Sequence, residues 1–282
     1  MLRHGITLGM LGASGYDDLA AMRHAQRKLQ RYGGVVDGYF WESSCTAYAV
    51  TFAGSAVIHD KLVAPPMVSS WLNWMHGPVK KLRGHGYHQK SGTILHESVT
   101  KTWRQAVNVL LRRRLGVQIV IHTDGSVTQH ADLLAQCSHC GGGRNKGTIG
   151  IEAVNRYYGK HAQRGDAVID AVWAHKRRYI LPTQEQMGTL WTVVQWLASE
   201  RAGVPLAFPA FTGPDFYWGR VKVSPKASGI VAHHRSAHAD GLFAEHYLMC
   251  RNMGMVHPVA WDTTIAAASC GRRRTAHHRK GE

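Results

Sequence analysis

Between Thr93 and Ala232, short apolar runs of strand type alternate with longer stretches of helical periodicity, which restricts the chain to a mixed sheet with helices on its faces. Thr93-Ile94-Leu95 reads as a short strand. Trp103, Ala106, Val107, Leu110 and Leu111 then fall at the spacing of a buried helical stripe, whose far end carries Arg112-Arg113-Arg114. Arginines in a last turn complement the helix dipole. Val117 to His122 and Ser126 to Gln129 flank Asp124-Gly125, a pair that accepts positive φ and so predicts a tight hairpin. Thr148 to Val154 and Gly229 to Ala232 are further strands. Pro182-Thr183 opens the strongest helix: Thr183 can cap it, Gln186 can reach back, and Met187, Leu190, Trp191, Val194 and Leu197 face inward. The expected fold class is α/β, a mixed central β-sheet flanked by helices, with a small helical domain ahead of it.

That first domain is expected over residues 1–60. Asp17 to Arg31 reads as a helix with Leu19, Met22, Gln26 and Leu29 on one face, followed by the turn-rich Val36-Asp37-Gly38-Tyr39-Phe40 and an apolar stretch from Ala47 to Phe52. Residues 61–91 hold Pro65-Pro66, Trp71, Trp74, the run Lys80-Lys81-Leu82-Arg83 and Gly84-His85-Gly86, and read as a basic linker. The main domain is expected over 92–255. Residues 256–282, with Arg272-Arg273-Arg274 and His277-His278-Arg279-Lys280, read as a basic tail, either simply solvated or a tether to phosphate-rich polymers.

Charge narrows the partners. Lys plus Arg total 34 against 18 Asp plus Glu, a formal charge of +16 before any of the 19 histidines is counted. Such a balance favours a polyanion: wall teichoic acid, lipopolysaccharide, anionic lipid or nucleic acid. No basic-aromatic motif supports specific nucleic-acid binding. Nowhere do eighteen apolar residues run together, so no membrane span is expected, and Met1 to Gly15 is too glycine-rich for a signal-peptide core. Five cysteines, an odd number, fit a reducing compartment, and synthesis in a cytoplasm is the expectation. Cys137 and Cys140 form a Cys-x-x-Cys pair without a second pair to complete a structural zinc site, which leaves a facultative disulfide or inert thiols.

Metal-type ligands stand at strand ends in three places: Ile94-Leu95-His96-Glu97, Ile230-Val231-Ala232-His233-His234 and His238-Ala239-Asp240-Gly241. Two imidazoles and a carboxylate make a three-ligand zinc set of the catalytic pattern, with a fourth position left for water. On a strand, neighbours point to opposite faces, so only one of His233 and His234 can aim at the metal; the distance from Gly229 favours His233.

The order of these segments resembles the zinc-dependent N-acetylmuramoyl-L-alanine amidases of phage endolysins and bacterial autolysins, whose fold is shared with peptidoglycan-recognition proteins. The likeness runs from Gly92 to about Cys250. It is carried by Gly92-Thr93-Ile94-Leu95-His96-Glu97, the hairpin from Gly116 to Val127, Asn145-Lys146-Gly147-Thr148-Ile149-Gly150-Ile151-Glu152, the opening of the long helix at Pro182-Thr183, and Gly229 to His233 followed by Asp240-Gly241. The resemblance implies zinc held by His96, His233 and Asp240, with Glu152 as the proton carrier. His139 falls where the family often has a histidine beside the cleft, implying a substrate contact. The implied reaction is hydrolysis of the amide between N-acetylmuramic acid and the first L-alanine of the peptidoglycan stem by a zinc-activated water. The implied setting is a phage endolysin acting on the wall after release from the host cytoplasm; the alternative is a non-catalytic peptidoglycan-binding protein of the same fold.

The sequence departs from that family at several positions. His238 stands where many members place a lysine that steadies the oxyanion, and could do that work only when protonated. Gln118 replaces a frequent histidine, Val117 a tyrosine, and Gly241 the usual proline after the closing aspartate. At the amino end, His24 to Gln30, Val36 to Phe40 and Thr46 to Val50 resemble a small three-helix peptidoglycan-binding domain, although Trp41 stands where that pattern wants glycine; an unrelated helical cap is the other reading.

Overall fold

The turn at Asp124-Gly125 forms as its residues dictate: Gly125 takes φ of +78°, and the Ser126 N–H donates to the Asp124 carboxylate at 2.9 Å. Around it, the computed structural model describes residues 49–53, 56–58, 61–63, 65–66, 68, 70–76, 86–141, 143–199, 202–209, 217, 223–224, 226, 228–235 and 240–269. In order these form β1 (Ala49–Ala53), β2 (Ala56–Ile58), β3 (Lys61–Val63), β4 (Trp71–His76), β5 (Gly92–Glu97), α1 (Trp103–Arg112), β6 (Ile119–Ile121), β7 (Val127–Gln129), β8 (Thr148–Ala153), β9 (Val168–Asp170), β10 (Arg178–Ile180), α2 (Gln184–Ala198), β11 (Gly229–Ala232), α3 (Leu242–Asn252) and α4 (His257–Ser269).

Seven strands make one mixed sheet in the order β1-β4-β7-β6-β8-β5-β11. β6, β8, β5 and β11 run parallel to one another, while β7 returns antiparallel to β6 through the hairpin. A parallel strand needs both faces covered, and the apolar runs of β5, β6, β8 and β11 are buried at every position. One face carries Leu95, Ile119, Ile121, Ile149, Ile151, Ile230 and Ala232, joined in a single core with Met187, Leu190 and Val194 of α2 and Phe243 and Leu248 of α3. Val117, Val120 and Val154 form a smaller apolar cluster with Trp103 and Leu110 of α1. The α2 capping box is complete: Thr183 Oγ1 accepts from the Gln186 N–H at 3.1 Å, and Gln186 Oε1 accepts from the Thr183 N–H at 2.9 Å. Gln118 is a structural staple in place of the family's histidine, its amide accepting from the Gly150 N–H and donating to the Ala135 carbonyl.

Three expected divisions of the chain do not coincide with the elements. Ala49–Ala53, assigned to the helical module, is strand β1 and pairs with β4 at the sheet edge. β4 itself lies in the expected linker; its Trp71 is buried against Trp196 of α2, ring centroids 5.5 Å apart, a gain in burial that a solvated connector would forfeit. The expected tail begins with a helix, because Pro258 suits a first turn and α4 buries Ala260, Trp261, Thr264 and Ala268, with Trp261 packed edge-on to Phe243. The amino-terminal helix, the basic run 80–83 and residues 270–282 lie outside the described residues, as does the echo of a peptidoglycan-binding domain over residues 24–50 except for Ala49 and Val50, which are in β1. No helix among the described residues is long and apolar enough to cross a membrane.

Burial leaves an acid-labile element in this core. Burial lowers His246 of α3 to about 4 and His122 at the end of β6 to about 4, the latter despite the opposing charge of Asp124. A depressed histidine contributes stability that is present above the unfolded value of ~6.5 and lost as pH falls through the folded value. Buried carboxyls that titrate upward act in the opposite sense, so the effect is best read by difference. Between pH 7 and 4, chemical denaturation of His246→Leu is expected to lose roughly 3 kcal/mol less than wild type. Parallel pH profiles for the two proteins would show that His246 is not held neutral.

Candidate metal centre

Register brings the ligand-type residues together. β5 and β8 pair in parallel with His96 opposite Glu152, so both side chains leave the same face of the sheet at its carboxyl edge. β11 pairs with β5 through Ala232 opposite Leu95, which sets His233 next to His96. The strand ends at Ala232, and His233–Arg235 form one turn of 3-10 helix, so the choice between His233 and His234 is made by that turn and not by strand alternation. The His96 and His233 rings stand 4.4 Å apart between centroids. Asp240 closes the group: its Oδ1 is 3.0 Å from His233 Nδ1, and its Oδ2 is 3.7 Å from His96 Nδ1. One ligand atom from each of His96, His233 and Asp240 lies within 4.8 Å of the other two.

The electrostatics are those of a buried charged cluster. Burial pushes the Asp240 carboxyl upward, but hydrogen bonds from His233 and His96 and their charges outweigh it and hold the group at about 2. Glu152 goes the other way: burial, reinforced by Asp240 and Glu97 and opposed by Arg113, pushes it up to about 8. A divalent cation at the three ligands acts in the reverse sense on Glu152, favouring its charged form. These residues line a cleft of about 910 Å³ together with Arg113, Asn145, Tyr157 and Tyr158.

Asp240 is held by a residue whose role no spacing in the sequence reveals. Glu97, next to His96 but on the opposite face of β5, is 5% exposed. Its Oε1 accepts from Tyr179 Oη at 2.5 Å and Asn155 Nδ2 at 2.8 Å, and its Oε2 accepts from the Gly241 N–H at 2.9 Å. The Glu97 N–H in turn points to Asp240 Oδ2 at 3.4 Å. Gly241 itself must be glycine: φ is +81°, and a Cβ there would stand 2.4 Å from the Leu95 carbonyl oxygen. Proline, locked near φ −65°, cannot take that conformation, which accounts for this departure from the family pattern. A carboxylate inside a strand buried on both faces must have partners, and that is the signal the sequence offers for Glu97.

His139, the expected substrate contact, lines the same cleft as the ligand-type residues. It is buried behind His96, with its Nδ1 3.1 Å from His96 Nε2, although its ring still reaches the cleft wall. Burial first, then the neighbouring His96, holds it well below the ordinary histidine range, so the ring is neutral. Among the described residues, Cys137, Cys140 and Cys250 are thiols in no disulfide. Burial pushes Cys137 up to about 12, which makes it inert. His238 lies outside the described residues.

The α/β fold brings His96 and Glu152 on parallel strands, His233 in the turn after β11 and Asp240 just before α3 to one cleft, a set that could hold a metal ion. The chain belongs to the N-acetylmuramoyl-L-alanine amidase family, Amidase_2, whose family model matches residues 86–240, more than half of the chain. No curated protein sequence matches it. Among solved structures it is similar to the endolysine N-acetylmuramoyl-L-alanine amidase LysCS from Clostridium intestinale URNW, with 13% identity over 56% of this chain and 82% of that one and a TM-score of 0.33. It is also similar to Staphylococcus aureus hydrolase AmiA, with 12% identity over 65% and 78% and a TM-score of 0.36. PlyL gives 11% identity over 71% and 96% and a TM-score of 0.38.

Proposed function

We propose that this chain is a zinc-dependent peptidoglycan hydrolase that cleaves the amide bond between N-acetylmuramic acid and the L-alanine of the stem peptide. The observation that carries the reading is the meeting of His96, His233 and Asp240 beside the buried Glu152 in one cleft. The donor chemistry fits zinc: two imidazole nitrogens and one carboxylate oxygen, the ligand number that catalytic sites use. When bound, zinc supplies Lewis-acid polarisation of a carbonyl and lowers the pKa of water towards ~7. The chain's own part is proton handling and placement. Glu152, on the same face as His96, takes a proton on its carboxylate from the attacking water and returns it to the departing amide nitrogen, which leaves as the free α-amine of L-alanine. Asp240, the third ligand, is pinned through the neighbouring Gly241 N–H to Glu97.

The proposal includes the setting of a phage endolysin, made in the cytoplasm of the infected bacterium and acting on the wall after release. The odd number of cysteines fits synthesis in a reducing compartment. The excess of positive charge supports attraction to anionic wall polymers or lipopolysaccharide around the substrate.

Purified peptidoglycan treated with the protein is expected to release new L-alanine amino termini and no new reducing sugars. Chelation or His96→Ala is expected to abolish the release together with the bound zinc measured in the same samples. Zinc at one ion per chain with no amine released would leave the non-catalytic peptidoglycan-binding reading in its place.

A further inference from the structure

We infer that a basic side pocket adjoining the metal cleft takes a carboxylate of the stem peptide, with Arg156, Lys160 and Lys101 as the residues that set a preference for acidic peptides. The inference deepens the hydrolase reading and rests on it for the identity of the peptide.

The pocket has a volume of about 630 Å³ and shares Val99, Thr100 and Val109 with the cleft that holds His96 and Glu152, so the two spaces adjoin along that wall. Its described lining includes Lys101, Arg156 and Lys160 and no aspartate or glutamate. Arg156 stands four residues beyond Glu152 in the chain, at most about 14 Å away along an extended backbone. A peptide leaving the scissile amide covers that span in about four residues. On the other side of that amide lie N-acetylated sugars, which carry no charge once the lactyl carboxyl is part of the amide. The free carboxylates of the substrate are therefore on the peptide side, and a cationic pocket within a short peptide's reach of Glu152 is complementary to them.

The cations are held in place. Arg156 is ion-paired with Asp166, whose other oxygen accepts from the Gln163 N–H at 2.6 Å, and Arg156 Nη1 is buried without a hydrogen-bond partner among the described residues. A guanidinium can grip more than one oxyanion, and a carboxylate in the pocket relieves the donor that Asp166 leaves unpaired. Lys160 lies over the ring of Tyr158, its Nζ 5.6 Å from the centroid, and Tyr158 lines the metal cleft. The shared wall is strained: Val99 is β-branched yet takes φ of +55°, and it is 38% exposed. Ser98 Oγ accepts from the N–H groups of Thr100 at 3.2 Å and Asn155 at 3.3 Å, which ties the loop after β5 to the end of β8 on either side of Val99. Strain of this kind persists where the surrounding structure enforces it, and it clusters at ligand sites.

The test uses the stem tetrapeptide L-Ala-γ-D-Glu-L-Lys-D-Ala, which lacks the scissile amide, titrated calorimetrically into the full-length protein with zinc present, as the free acid and with both carboxyls amidated. Wild type is expected to bind the free acid about tenfold more tightly than the amide. Lys160→Gln, an exposed substitution, is expected to reduce that preference by about two- to fivefold, and Arg156→Gln to remove most of it. Arg156→Lys keeps the charge without the fork and is expected to fall between wild type and Arg156→Gln. Because Arg156→Gln also leaves Asp166 without its partner, folding is checked by circular dichroism, and the double variant Lys101→Gln with Lys160→Gln carries the test where Arg156→Gln does not fold. Equal wild-type affinity for acid and amide, or an unchanged preference in the double variant, overturns the proposal. So does tighter binding of glycerol phosphate than of the free acid, lost in the same variants, which would make the pocket a wall-phosphate site. Initial rates of amine release from N-acetylmuramoyl-tetrapeptide, measured in parallel, separate the pocket from the hydrolase. A preference for the acid with no amide cleaved keeps the peptide pocket and removes the hydrolase reading, whereas cleavage without a preference keeps the hydrolase and removes the pocket.

Discussion

Glu152→Gln is expected to lower the rate of amide hydrolysis by about 10²–10⁴-fold, the usual worth of a positioned proton carrier, while metal uptake stays intact. The substitution is nearly isosteric, so the cleft keeps its shape and the only loss is the capacity to accept a proton. Glu152 is buried at 6% exposure and is raised to about 8 chiefly by burial, so in the metal-free protein it is a poor base at neutral pH. A cation at the neighbouring ligands restores its charge, which ties the base to the loaded state. The measurement is the initial rate of L-alanine amine release from peptidoglycan at equal zinc content for the two proteins. A rate within tenfold of wild type would place proton transfer on another group.

Much of this site is legible in the amino-acid sequence because its ligands stand at strand ends that also carry strand-type patterning. The apolar runs around His96, Glu152 and His233 predict β5, β8 and β11, and Asp124-Gly125 predicts the β6–β7 hairpin. The periodicity of Met187, Leu190, Val194 and Leu197 likewise marks the buried stripe of α2. What stays hidden are relations that no spacing encodes. Glu97 acts through a partner 144 residues away in the chain, Gly241, and only the fold makes them neighbours. The place of His139 escapes the sequence for the same reason: its position in the chain puts it near the cleft, but whether it faces substrate or ligand depends on the hydrogen bond from its backbone N–H to Asn145 Oδ1 and the space that Gly150 leaves for its ring. β4 reads as linker because Pro65-Pro66 and the lysine run dominate its surroundings, whereas Trp71 finds its burial partner in α2, more than a hundred residues later.

Arg235→Met is expected to destabilise the fold by about 3–5 kcal/mol, because it strands a carboxylate in the core. Arg235 Nε donates to Glu245 Oε2 at 3.1 Å, and both side chains are fully buried. The pair joins the turn that carries His233 to α3, so it bears on the site as well as on stability. Burial raises the Glu245 carboxyl to about 7 even though Arg235 opposes the rise. Removing the arginine raises it further, and the sign of the pH dependence follows. A carboxyl whose folded pKa lies above its unfolded value contributes stability that is complete below the unfolded value and lost as pH rises through the folded one. The penalty of Arg235→Met should therefore be larger at pH 8 than at pH 5, as read by urea unfolding at each pH. The double variant Arg235→Met with Glu245→Leu removes both charges, and buried pairs so replaced are often neutral or more stable by ~1–4 kcal/mol. If the double variant regains stability but binds zinc more weakly than wild type, the pair holds the His233 turn in place. If it regains both, the pair serves neither the site nor the fold beyond satisfying its own burial, and the hold on the turn includes Asp240 through the His234 N–H and the His233 ring.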